Sequence, residues 1–446
     1  MTSLRSRLSV LFGWAALAVI AVASLFNAQE VVIDEPVALT AWLLGATPAL
    51  VVGLVLLPWA AGRRDLWRGS RFLVAAFGAL LVWSAIRIPG VERCLDRRDG
   101  ELISSCFPDW VSWVPLAQAA VTAALAWVFV ASIPRAQLTR WLAGLAAVIL
   151  GMSVVALVRA LLDPRGFNRL GSGLGGAAVL AVALVIATAL LAGRFLEDHR
   201  RWLSGVGVVV GLVLIATTFS RAGYGVAALT VVAVLVAGRG GRRRLSGGWA
   251  LTIGGGLLVV GAVIAVFFRD HVGRMLSLGD PGRAANTATA LNFWTDDPLR
   301  VLFGSGVGRL WPWFAVDADL VWAPETGMMG SKGIDGELLV NPHSTFLGVL
   351  VELGLVGFVL LLLALGGVLV AAWTSRGKSP ANLGLIAAAV CVVAFLLDYY
   401  LLRNPGVSFV WWCAVFAGLA ARATSASGAG SIGGRLSSAV DDGGIK

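Results

Sequence analysis

Charge is scarce in this chain. Of its 446 residues only 13% are Asp, Glu, Lys or Arg, against 58% hydrophobic, and mean hydropathy is +0.85. That balance excludes a soluble globular domain, in which about a quarter of residues are charged. Lysine is scarcer still: Lys332, Lys378 and Lys446 are the only three among 35 basic residues, the rest being arginine. Histidine occurs three times, as His199, His271 and His343. Cysteine occurs four times, and no histidine accompanies Cys94 and Cys106 in their shared loop, so a zinc module has little support. A disulfide between those two is the alternative if the loop faces an oxidising space. Cys391 and Cys413 fall in apolar runs and read as packing residues. No internal repeat is evident, which weighs against a fold of two related halves. The net charge of +10 raises the question of nucleic acid. However, the basic residues sit in short loops between apolar runs, as membrane orientation requires, so no nucleic-acid partner is expected.

What the chain has is long apolar runs. Twelve candidate spans follow from them, at 8–26, 37–57, 72–88, 111–133, 141–162, 174–192, 202–219, 222–237, 249–268, 346–372, 383–402 and 407–421. The fold class is therefore all-α, a polytopic membrane protein. With the N-terminus inside, the short inner loops hold fifteen basic residues against seven outside. That bias puts both termini in the cytoplasm, and the expected location is the cytoplasmic (inner) membrane. Ala21-Val22-Ala23 has the form of a cleavage site, but an uncleaved first span is the simpler reading. Residues 1–201 read as an N-terminal bundle and 202–421 as a second core. The latter includes an outer loop at 269–342, and 422–446 reads as a polar cytoplasmic tail. Inside the loop, Arg283 to Trp294 reads as a short helix ended by Asp297-Pro298. The run Gly304-Ser305-Gly306-Val307-Gly308 reads as a tight turn, since no βαβ unit surrounds it.

Several arginines defy the orientation bias. Arg87 ends the third span, Arg159 nearly ends the fifth and Arg221 joins the seventh and eighth, while Arg283 lies in the outer loop. All fall at the outer face. One such arginine is explained by snorkelling to headgroups, but several at one level favour an anion site. Guanidinium binds phosphate in a bidentate way and keeps its charge when partly desolvated. At the same level Asn341-Pro342-His343-Ser344 leads into a span that buries Glu352. An imidazole there suits proton transfer near neutral pH. An ionisable residue within hydrocarbon usually marks a site. By helical rise Glu352 lies ~13 Å below His343, too far to share one atom, so an ion pair inside the bundle is its simplest task.

Taken together, these segments resemble the O-antigen ligase and O-antigen polymerase superfamily of membrane glycosyltransferases. The resemblance rests on Ser220-Arg221-Ala222-Gly223, on Gly282-Arg283 followed by Asp297-Pro298 and Gly304-Ser305-Gly306, and on His343 with Glu352. It covers about 221–421 and departs at Ser344, where the family often has Asn. It implies a GT-C-like fold and transfer of a glycan from a polyprenyl-diphosphate carrier to an acceptor hydroxyl. The acceptor would be a lipid, glycan or protein, reached among membrane lipids with inversion at the anomeric centre, and with no metal or cofactor. In that scheme Arg221 and Arg283 bind the diphosphate and His343 handles the acceptor proton. Arg159, Arg87 and Glu352 then contribute to substrate binding. Ligase and polymerase are not separable on these residues. Three rivals stay open: a metal-dependent transferase using Asp34-Glu35 or Asp317-Ala318-Asp319, a twelve-span transporter, and a non-catalytic scaffold.

Overall fold

The computed structural model describes residues 10–18 (save 12 and 16), 64–91, 94–98, 102–106, 109–164, 167, 169–197, 202–239, 281–310, 332–333, 341–375 and 382–422. In chain order the helices are α1 (Arg64–Ile86), α2 (Trp110–Ser132), α3 (Arg135–Leu162), α4 (Ala177–Glu197), α5 (Trp202–Thr217) and α6 (Arg221–Arg239). Next come α7 (Pro281–Thr295), α8 (Pro298–Phe303), α9 (Thr345–Ser375), α10 (Leu383–Val390, running into a 3-10 stretch at Cys391–Leu396) and α11 (Pro405–Arg422). Six of these, α1 to α4, α9 and α11, are long and apolar enough to cross a membrane, and α5, α6 and α10 are shorter apolar helices. The chain is an α-helical, membrane-embedded protein. Nine of the twelve expected spans coincide with these nine helices. The other three, 8–26, 37–57 and 249–268, lie wholly or mostly outside the described residues.

Helix α4 sits at the centre because it is apolar on every side, and such a helix has no face to give to water. It packs against α3, α5, α6 and α10. Gly223 of α6 lets that helix approach closely, since a Cβ there would fall on the Cβ of Ala181. One hydrophobic core runs from Leu17 to Ala420 and draws on helices from both halves of the chain. Outward faces stay apolar, as with Val82 and Ile86 of α1, Leu161 and Leu162 of α3, and Val206 and Val209 of α5. Hydroxyls within the helices are neutralised locally. Ser70, Ser84, Ser153, Thr188 and Thr230 each donate to the carbonyl four residues back, at 2.7–2.8 Å.

Among the described residues three short strands interrupt the helical pattern. β1 (Cys94–Arg98) pairs antiparallel with β2 (Leu102–Cys106) and, on its other edge, with β3 (Lys332–Gly333). β1 and β2 lie between α1 and α2, and β3 comes from the segment between α8 and α9.

Helix α9 breaks inside its apolar run. Gly354 takes φ +68°, ψ −171°, nine residues and so about 13 Å into the helix. A break there deprives the carbonyls of the preceding turn of the N–H groups four residues on. Three successive carbonyls find other donors: Val351 O accepts from Ser305 N (2.9 Å), Glu352 O from Gly306 N (2.9 Å) and Leu353 O from Trp83 Nε1 (2.8 Å). The glycine-rich run is thus more than the turn expected. It is a clamp on a broken span, and its close fit shows at Gly304 (φ +79°), where a Cβ would fall on the Glu352 carbonyl.

Gly354→Ala should lower stability in detergent by about 1–3 kcal/mol from backbone strain alone, with a further loss from displacing the Leu302 carbonyl. Gly366 is the control on the same helix, because a Cβ added there would meet nothing within 4 Å. Gly366→Ala should be neutral or slightly stabilising in the same thermal melt.

Candidate functional site

The site grows from the first turn of α9. Asn341 Oδ1 accepts from His343 N at 2.8 Å, which holds His343 in the left-handed region at φ +43°. Ser344 then caps the helix, its Oγ accepting from Leu347 N at 3.2 Å while donating to Phe395 O at 3.3 Å. The Ser344 hydroxyl thus serves as both acceptor and donor. Thr345 completes the seam: its N and Oγ1 donate to Asp398 O at 3.0 and 2.9 Å, and its Oγ1 accepts from Tyr400 N at 2.8 Å. The stretch 395–400 is sewn to the residues beside His343.

Helix α7 comes to the same seam. Its apolar face, Ala290 and Phe293, packs on Leu310 and Val351. One turn apart on its first half, Arg283 Nη1 donates to Leu397 O (3.0 Å) and Asn286 Nδ2 donates to Asn341 O (3.0 Å). Arg283 and His343 are both half-buried. Asp297, expected only to end this helix, also starts the next, accepting from Leu299 N at 2.9 Å with Pro298 in the first turn.

Beneath the seam lies a small cleft, open in part to solvent. Ser84, Thr345, Gly348, Glu352, Tyr399 and Arg403 line its polar side. Glu352, 7% exposed, forms an ion pair with Arg403 Nη2 at 3.6 Å. The Arg403 guanidinium also sits over the Tyr399 ring, 4.4 Å from its centroid. The Tyr399 hydroxyl is buried and has no hydrogen-bond partner among the described residues. Gly348 makes room for that ring, because a Cβ there would meet it. Asp398 lies past the last helical turn. Burial pushes its carboxyl above the usual carboxylate range, while the Tyr399 N–H and the Arg283 guanidinium pull it back.

The remaining expected residues fall as follows. Arg87 is half-buried and donates from Nη2 to Gly304 O at 2.9 Å, so it braces the clamp on α9. Arg221 is exposed as the first residue of α6, after Phe219 at φ +47° and the cap Ser220, whose Oγ accepts from Gly223 N at 3.1 Å. Helix α6 runs along α10, with Ala233 and Val234 beside Leu383 and Ile386. Its start therefore lies toward the end where 397–404 emerges, the end that holds Arg283 and His343. Arg159 is exposed in the last turn of α3, a helix that packs on α4 and α5. Asp34, Glu35, Asp317, Asp319, His199 and His271 lie outside the described residues.

The expected span 383–402 absorbs Asp398 and Tyr399 and leaves Arg403 at its flank. The structure ends that span at Leu396, and the signal in the sequence is Asp398-Tyr399-Tyr400 after only fifteen apolar residues. No family model matches the chain, and no curated protein matches it. Arg403→Gln should cost about 3 kcal/mol by stranding the Glu352 charge, and Glu352→Gln in the same chain should restore most of it. A double-mutant cycle on detergent melting temperatures reads this directly.

Proposed function

We propose that the end of the bundle holding Arg283 and His343 transfers a glycan from a polyprenyl-diphosphate carrier to an acceptor hydroxyl. In this reading the chain is a twelve-span, GT-C-like glycosyltransferase of the cytoplasmic membrane, working at the outer face with both termini inside. The observation that carries it is the shared seam. Asn286 and Arg283, one turn apart, reach the loop before His343 and the loop after α10, so Arg283 and His343 are carried on segments tied into one seam.

The chemistry follows from those groups. The diphosphate, a dianion in the intact donor, departs without protonation as a trianion, and Arg283 with Arg221 stabilises the charge it gains as the anomeric C–O bond breaks. His343 accepts the proton of the acceptor hydroxyl as its oxygen attacks the anomeric carbon from the opposite side. Attack opposite the leaving group inverts the centre. Pre-positioned arginines supply the electrostatic stabilisation that a divalent cation would otherwise give, and no metal or cofactor is invoked. Glu352 and Arg403 sit in the adjoining cleft, where an acceptor or a lipid-linked donor would pass. A polymerase uses the same donor chemistry and differs only in its acceptor.

A transporter is the second reading, and the broken helix at Gly354 favours it, since discontinuous helices build many transport sites. Against it, the carbonyls left by that break are taken by Ser305, Gly306 and Trp83 and so are not offered to a solute.

The test uses membranes carrying wild type, His343→Ala, Arg283→Ala or Arg221→Ala at equal inserted levels, and follows carrier-linked glycan and its transferred product. Each substitution should cut transfer by about 100-fold or more, and EDTA should change nothing. Transfer that survives His343→Ala and Arg283→Ala would sink the proposal. Loss of transfer to EDTA would move the chemistry to a metal-dependent enzyme.

A further inference from the structure

The hairpin between α1 and α2 pairs Cys94 with Cys106 in direct register, at the open end of the β1–β2 ladder. Directly opposed residues of an antiparallel pair have Cα atoms about 4.5 or 5.5 Å apart, according to whether the pair is hydrogen-bonded. Both spacings fall within the range of about 4.4–6.8 Å that a disulfide spans. The register alone therefore satisfies the backbone requirement, whichever kind of pair this is. We propose that Cys94 and Cys106 form a cross-strand disulfide that closes this hairpin. The chain's other two cysteines, Cys391 and Cys413, are buried, free and lodged in helices.

The bond has a use in the fold. β1 carries β3 on its other edge, and that register sets Asp96 across from Lys332, residues of opposite charge. Lys332 belongs to the long segment between α8 and α9, whose next described residue is Asn341, beside His343. Locking β1 to β2 thus fixes the strand on which Lys332–Gly333 docks. Two thiols close by exchange with an oxidised disulfide donor: the S–S bond forms between Cys94 and Cys106, and the donor leaves as a dithiol carrying their two electrons and two protons. Such donors act in oxidising compartments, so the bond would also assign this end of the bundle to the oxidising side of the membrane. That assignment rests on the strand register and is independent of the glycan-transfer reading.

The experiment counts thiols in the full-length protein. Cells are lysed in acidified SDS, and free thiols are then tagged with a maleimide-linked polyethylene glycol, with and without prior reduction. Wild type should gain two tags before reduction and four after it. Cys94→Ser should gain three in both cases, because Cys106 is released. Four tags on unreduced wild type would overturn the proposal. So would a single tag on unreduced Cys94→Ser, which would put the bond between Cys391 and Cys413. Should the variant fail to accumulate, proteolysis of unreduced wild type settles the matter: a linked peptide pair joining Cys94 to Cys106 supports the bond, and the two peptides recovered as separate thiols refute it.

Discussion

The break in α9 at Gly354 is the constraint on which the surrounding structure depends. Backbone carbonyls without partners are costly in hydrocarbon, and an irregular segment survives at that depth only when protein satisfies it. Here the satisfaction comes from two distant segments, Ser305 and Gly306 on one side and Trp83 of α1 on the other. Each is fixed in turn. Arg87 at the end of α1 donates to Gly304 O, Val307 N donates back to Arg87 O at 3.3 Å, and Ser112 of α2 donates to Val307 O at 3.1 Å. The helical fold of α1, α2 and α9 at this end is therefore coupled to the placement of the glycine run. That run follows α8 directly and leads back through it to α7, which carries Arg283.

The ion pair of Glu352 and Arg403 belongs to the same arrangement. Glu352 is two residues before the break, and its carbonyl is held by Gly306 while its carboxylate meets Arg403. A buried ion pair adds little net stability compared with apolar packing, because desolvation offsets the attraction. Its value lies in fixing where 399–404 can lie against α9. The pair also leaves the guanidinium of Arg403 stacked on Tyr399, so charge, ring and helix are registered together along one wall of the cleft.

Much of this is legible in the sequence, and the limits have physical causes. Apolar runs locate spans because burial in lipid needs little else, and nine of the helices lie where those runs put them. Arg283, His343 and Ser220-Arg221 stand out because charge beside apolar residues is costly without a purpose. The clamp is not legible. Gly354 looks like any of the glycines at 357, 366 and 367 in the same span, and its role depends on residues some fifty positions earlier. The early end of α10 escapes notice for a related reason: hydropathy averages over Asp398, whereas the chain turns there because Thr345 takes its carbonyl. Arg87 reads in the sequence as a ligand for anions, yet one of its donors is committed to Gly304.

Backbone strain gathers at chain reversals beside the candidate site residues. Among the described residues the only non-glycine positions with left-handed backbone are Phe219, His343, Leu401 and Asn404. Left-handed geometry is costly for a bulky side chain and persists only where neighbours over-determine it. Each of these reversals has a serine that satisfies nearby backbone: Ser220 receives Gly223 N, Ser344 receives Leu347 N, and Ser408 receives Leu401 N while donating to Arg403 O. Arg221 follows the first strained residue, His343 is the second, and Arg403 lies between the last two. The three charged or titratable groups are thus carried on chain reversals that cannot relax without losing a cap. In the proposed glycan transfer, groups carried on capped reversals leave little reorganisation to be done when substrate arrives.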